Sequence, residues 1–133
     1  MINEIEKGLE ELIGILKSEI PLLKEVRVFG SYENGNWKPK KSDIDIFVLT
    51  LNEYYSCFDK LISLRDYSTI ESKQREGLRK KINGGLTGQY KNKFAIHIVS
   101  RKDLKHLIGN NPGKGDVGRN MLRGRLLYSD PRI

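Results

Sequence analysis

The run Asp43-Ile44-Asp45-Ile46-Phe47-Val48-Leu49 constrains this chain more than any other seven residues in it. Side chains on a strand alternate between its two faces. Ile44, Ile46 and Val48 therefore make one face fully apolar and fit for a core, while Asp43 and Asp45 leave together from the other. Two positions apart, their Cα atoms lie roughly 6–7 Å from each other at about 3.4 Å of rise per residue. Carboxylates this close repel, and one tends to hold a proton unless a cation lies between them. Magnesium prefers hard oxygen ligands and is commonly held by one or two carboxylates plus substrate phosphates.

A second strand, Glu25-Val26-Arg27-Val28-Phe29, ends at Gly30-Ser31. Glycine lets backbone approach a bulky ligand. A helical turn starting at Ser31 would offer free N–H groups to an anion, as helix N-termini do for phosphates. If the two strands are neighbours, a phosphate held at Ser31 lies beside a metal held at Asp43 and Asp45, the arrangement that phosphoryl or nucleotidyl transfer needs. Tyr32 to Ser42, with Asn34, Gly35, Asn36, Pro39 and three lysines, reads as a loop or short turn between them.

The rest of the chain supplies a frame. Ile5, Leu9, Leu12, Ile13, Leu16 and Ile20 recur at three and four, predicting an amphipathic helix that ends near Pro21 and is no signal peptide. Asn52 to about Leu64 predicts a helix, and Thr69 to Ile82 a weaker one stopped by Asn83-Gly84-Gly85. Phe94 to Val99 predicts a third strand, with Ala95, His97 and Val99 on one face. A short helix over Asp103 to Ile108, a loop over Gly109 to Gly118, a helical turn or two around Arg119 to Arg123 and an edge strand at Leu126-Leu127-Tyr128 complete it. The expectation is one α+β domain over residues 1–133, with a small mixed β-sheet and helices packed mainly on one face. At 133 residues there is room for one core.

Val26-Arg27-Val28-Phe29-Gly30-Ser31, eleven residues, then Asp43-Ile44-Asp45-Ile46-Phe47-Val48 resembles the hallmark of the DNA polymerase β-like nucleotidyltransferase superfamily, and the small size is similar to its minimal members. The resemblance implies transfer of a nucleoside monophosphate from a nucleoside triphosphate, ATP favoured, to an acceptor hydroxyl. It implies that Gly30 and Ser31 bind the nucleotide and that Asp43 and Asp45 hold Mg2+; Ser42 also fits the pattern. Minimal members often adenylylate a partner toxin, so a protein hydroxyl is one acceptor and RNA another. With no second domain to bind a large acceptor, a homodimer or partner chain is expected.

One position departs from the pattern. His97 stands where the family usually places a third carboxylate. Histidine serves as a general base near neutral pH but suits magnesium poorly. The alternative is a site that binds nucleotide without turnover, in a module that contacts RNA or a partner protein through its basic surface.

Charge and cysteine content narrow the setting. A net charge of +7 points to polyanionic partners. Lys38, Lys40 and Lys41 precede the aspartates, and Lys73, Arg75, Arg79, Lys80 and Lys81 form a basic helical face. Trp37 either stacks on a base or covers the core edge. Gly109-Asn110-Asn111-Pro112-Gly113-Lys114-Gly115 lacks P-loop spacing and reads as a loop. Lone Cys57 excludes an internal disulfide and fits a reducing, cytoplasmic compartment, and His106 reads as surface. No apolar run approaches the roughly 18–20 residues of a membrane span.

Overall fold

The computed structural model describes residues 2–38, 43–52, 70–86, 93–101, 104 and 121–133. In chain order the elements are α1 (Ile2–Glu19), β1 (Leu23–Phe29), β2 (Ile44–Thr50), α2 (Ile70–Gly85), β3 (Phe94–Ser100) and β4 (Arg125–Ser129). The strands form one sheet in the order β3-β2-β1-β4. β1 runs antiparallel to both β2 and β4, whereas β2 and β3 are parallel, so the sheet is mixed and the class is α+β.

Alternation decides the core. Val26 and Val28 of β1, Ile44, Ile46 and Val48 of β2, and Phe94, Ile96 and Ile98 of β3 share one face and are buried. Against it pack Ile5, Leu9, Leu12 and Leu16 of α1 with Ile20 just past its end, and Ile82 of α2 with Leu86 just past its end. Each such side chain contributes about 1.5–3 kcal/mol relative to an exposed position. Ile13, expected in the α1 stripe, is only half buried. Ile15 packs on the cluster in its place, with its Cδ1 reaching the bare Cα side of Gly85. The neighbouring helix, invisible to periodicity, widens the buried stripe on that side.

Boundaries shift by a few residues. β1 begins at Leu23 and β2 at Ile44, leaving Asp43 just ahead of its strand. α2 runs through the expected stop at Asn83-Gly84-Gly85, because the buried Leu86 draws the last turn onto the core. The corner between α1 and β1 places Leu22 at φ 55. Leu51 N–H donates to the Leu22 carbonyl (3.0 Å) and the Thr50 hydroxyl to that of Pro21 (2.9 Å), holding a left-handed conformation that costs a non-glycine residue about 1–3 kcal/mol.

The opposite face of the sheet is only partly apolar. Phe47, Val99 and Met121 are buried there, with Phe29, Leu49, Leu104 and Leu122 packed around them. The edge strand expected at Leu126 to Tyr128 is β4, and Met121-Leu122 is helical as expected for that approach. The helix expected from Asn52 to Leu64, most of that from Asp103 to Ile108 and the loop over Gly109 to Gly118 lie outside the described residues.

Candidate active site

Antiparallel pairing brings the end of β1 to the beginning of β2, with Phe29 opposite Asp45, and parallel pairing puts Ala95 of β3 on the other side of Asp45. His97 is level with Phe47 and so shares the face of Asp45. Its Nε2 lies 3.4 Å from Asp45 Oδ1, and its ring tilts against that of Phe29 with centroids 5.5 Å apart. Both polar side chains stay about one-third exposed.

Gly30 is the next residue after Phe29, at φ +79, a left-handed conformation that favours glycine. A Cβ built on it would stand 2.5 Å from Asp45 Oδ2. The carboxylate thus occupies the space that any side chain at position 30 would fill. The two halves of the sequence motif meet here in direct contact, and a cation at Asp45 would lie beside the Gly30-Ser31 backbone. Asp43 is exposed at the entry to β2, which Ile44 N–H pins to the Lys93 carbonyl at 2.7 Å. Ser42 lies outside the described residues.

The hard oxygen donors of Asp43 and Asp45, one of them lodged in a glycine cradle, fit a divalent cation. Among the described residues no three carboxylate, imidazole or thiol groups converge on one metal position.

After Gly30 the backbone makes a single helical turn. Asn34 N–H donates to Gly30 O (3.0 Å), Asn36 N–H to Ser31 O (2.9 Å) and Gly35 N–H to Tyr32 O (3.4 Å). The last two bonds, with Gly35 at φ +81, form a Schellman closure. The turn that Ser31 was expected to open is present, and it is braced from outside. Tyr32 hydroxyl donates to Glu6 Oε2 (3.0 Å), and its ring meets Trp37 edge-on at 5.4 Å. Trp37 packs on the core edge, the second of its two sequence readings. Arg125 of β4 donates to both oxygens of Glu33 (3.2 and 3.0 Å) and both of Glu6 (2.9 and 3.1 Å). The Arg125 hydrogen bonds hold the Glu6 carboxyl below its usual range. Burial, then the Glu6 bond, pushes the Tyr32 hydroxyl up to about 12.

A cavity of about 360 Å³ opens beside this turn, lined by Phe29, Gly30, Glu33, Asn34, Arg123 and Gly124. Gly124 is buried, and a Cβ there would meet Val28 O at 2.5 Å, so only glycine lets the start of β4 close this wall. Sequence reasoning missed Phe29, Arg123, Gly124 and Arg125 as parts of the site. A glycine between two arginines ahead of a strand is the one signal the sequence offered.

The family of nucleotidyltransferase domains matches residues 9–105 of this chain. The chain belongs to that family. The matched segment holds the Gly30-Ser31 turn, both aspartates and His97, whereas Arg123, Gly124 and Arg125 of this nucleotidyltransferase-family chain lie beyond it. The chain is also similar to a crystal structure of a candidate nucleotidyltransferase from Sulfolobus solfataricus, at 18% identity, over 96% of this chain and 93% of that one, with a TM-score of 0.45. No curated protein sequence matches it significantly.

Among the described residues no helix is long and apolar enough to cross a membrane. Of the basic helical face, Arg79 pairs with Glu76 (3.4 Å) and Lys81 with Glu19 (3.1 Å), while Lys80 is exposed. Lys38 is exposed. The side chains of Lys73 and Arg75, together with Lys40, Lys41, Cys57, His106 and the Gly109 to Gly115 loop, lie outside the described residues.

Proposed function

We propose that this nucleotidyltransferase-family chain, acting as one domain over residues 1–133, transfers a nucleoside monophosphate from a nucleoside triphosphate, ATP favoured, to an acceptor hydroxyl. The observation that carries the reading is the lodging of the Asp45 carboxylate in the side-chain space of Gly30. It joins an anion-binding turn to a metal-binding strand without an intervening side chain. Asp43 and Asp45 hold the metal, with Mg2+ the ion the family resemblance implies. That cation, when bound, supplies positive charge to the oxygens around the reacting phosphorus and to the departing pyrophosphate.

The chain's own groups do the rest. Gly30 lets the phosphates approach the backbone, and Ser31 with the opening N–H groups of its turn orients the β- and γ-phosphates. Ser42, immediately before the aspartates, adds a hydroxyl to the nucleotide side. His97 takes the proton of the acceptor hydroxyl as its oxygen bonds to the α-phosphorus, and pyrophosphate leaves. Phe29 holds the imidazole on its far side. The acceptor belongs to a partner protein, as in a toxin-antitoxin pair, or to RNA, and a homodimer or partner chain presents it. The single Cys57 suits a cytoplasmic setting.

His97 in the place of an acid favours a second reading, a module that keeps the fold and binds RNA or a protein through its basic surface. Incubation with α-labelled ATP, GTP, CTP and UTP plus magnesium, RNA and host lysate separates the two. Label transfer lost in the Asp43→Asn/Asp45→Asn double variant supports the enzyme. Absence of transfer, with salt-sensitive polynucleotide binding that ignores the double substitution, supports the binding module.

A further inference from the structure

Asp45 and His97 come from adjacent parallel strands and meet on one face at 3.4 Å, oxygen to nitrogen. That separation is long beside the roughly 2.9 Å typical of an N–H···O hydrogen bond. It falls within the roughly 2.9–3.6 Å expected between two neighbouring ligands that each stand about 2.0–2.2 Å from a shared ion, octahedral to tetrahedral. Both groups are steadied from behind, the carboxylate by the Gly30 backbone and the imidazole by the Phe29 ring. Both remain partly open to solvent on the remaining side.

We propose that Asp45 Oδ1 and His97 Nε2 are ligands of one divalent cation, and that this mixed oxygen–nitrogen pair makes the site prefer first-row transition dications to magnesium. The inference rests on the reading that Asp45 holds a metal, and assigns the ion that the site selects; with Nε2 on the ion, His97 is a ligand in place of a proton acceptor, and the acceptor hydroxyl's proton leaves to solvent on the open side of the pair. Magnesium demands oxygen ligands and near-ideal octahedral geometry. Imidazole is a borderline donor whose affinity rises from manganese to cobalt along the Irving–Williams order. A carboxylate in place of His97 would follow the same order with a shallower gradient, and the imidazole steepens it.

The test is metal binding to the full chain, followed by calorimetry for Mg2+, Mn2+ and Co2+, by the electron paramagnetic resonance of Mn2+ and by the visible absorption of Co2+. The expected order of affinity is Co2+ over Mn2+ over Mg2+. His97→Ala and His97→Gln weaken Co2+ and Mn2+ by at least roughly tenfold and leave Mg2+ nearly unchanged. The Co2+ spectrum shifts with loss of the nitrogen donor. His97→Asp narrows the gap between Co2+ and Mg2+. Because His97 is partly exposed, the metal-free variants should melt with the wild type, which separates ligand loss from misfolding. The same Co2+ spectrum and affinities in wild type and both His97 variants would overturn the assignment, while magnesium-dependent label transfer lost in Asp45→Asn would leave the proposed function standing. Metal binding untouched by Asp45→Asn would overturn both.

Discussion

The two faces of the sheet are built from the same strands and differ in what fills them. Toward α1 and α2, Val26, Val28, Ile44, Ile46 and Val48 are all at 0% exposure, and helix side chains complete the packing. On the other face, among the described residues, apolar cover is confined to the cluster around Phe47, Val99 and Met121, and the rows above it carry Asp45 and His97 about one-third exposed. The covered face supplies stability through buried area, which is insensitive to the chemistry of any one group. The open face is free to hold charged groups because its strands are already fixed from behind. A polar site so supported is positioned without being required for folding.

The largest effects should separate the faces cleanly. Ile46→Ala opens a cavity in the covered face and should cost about 2–5 kcal/mol, read by urea denaturation. Asp45→Asn on the adjacent residue should leave stability within about 0.5 kcal/mol and lower label transfer by at least roughly a hundredfold. Equal loss of stability in both variants would break the comparison.

Gly30→Ala tests the seam between the faces. The left-handed φ costs about 1–3 kcal/mol for a residue with a Cβ. The added carbon also displaces the Asp45 carboxylate from its place, 2.5 Å away. Transfer should fall on the order of a hundredfold, as misplacement of a reacting group by about 1 Å does. A melt unchanged from wild type with full transfer would show that the carboxylate is not held by this contact.

Gly124→Ala sharpens the comparison at the second close approach. Its Cβ meets backbone, Val28 O at 2.5 Å, together with Phe29 Cβ at 2.9 Å, so β4 must move. A loss of about 1–3 kcal/mol is expected in thermal melts, with transfer reduced alongside it because Phe29 steadies His97.

The smallest effect belongs to the brace on the turn. Arg125, Glu6 and Glu33 are about one-third or more exposed, so Arg125→Ala should cost about 1 kcal/mol or less at neutral pH and less in high salt. Glu6 has its carboxyl held below its ordinary 4.5 in the folded chain. Its contribution is therefore present above pH 4.5 and lost as pH falls through the lower folded value. Urea denaturation at pH 7 and pH 3 should show the gap between wild type and Arg125→Ala shrinking on acidification. A gap that holds at pH 3 would show that ionised Glu6 is not the group Arg125 serves.

Much of this was legible along the chain. Alternation in Asp43 to Leu49 and Phe94 to Val99 determines which side chains share a face, because the strand period is a local property of the backbone. The spacing of leucines and isoleucines determines α1 in the same way, and Gly30-Ser31 with Asp43 and Asp45 marks the candidate site. What lay beyond the sequence is every contact made across elements. Periodicity could not show that Ile15 turns toward Gly85, that Asp45 fills the missing side chain of Gly30, or that Arg125, far along the chain, braces the turn at Glu33. Nor could it show that Phe29 backs His97. Local patterns set the period and the faces, but strand order and register set which faces meet, and those depend on the packing of the whole sheet.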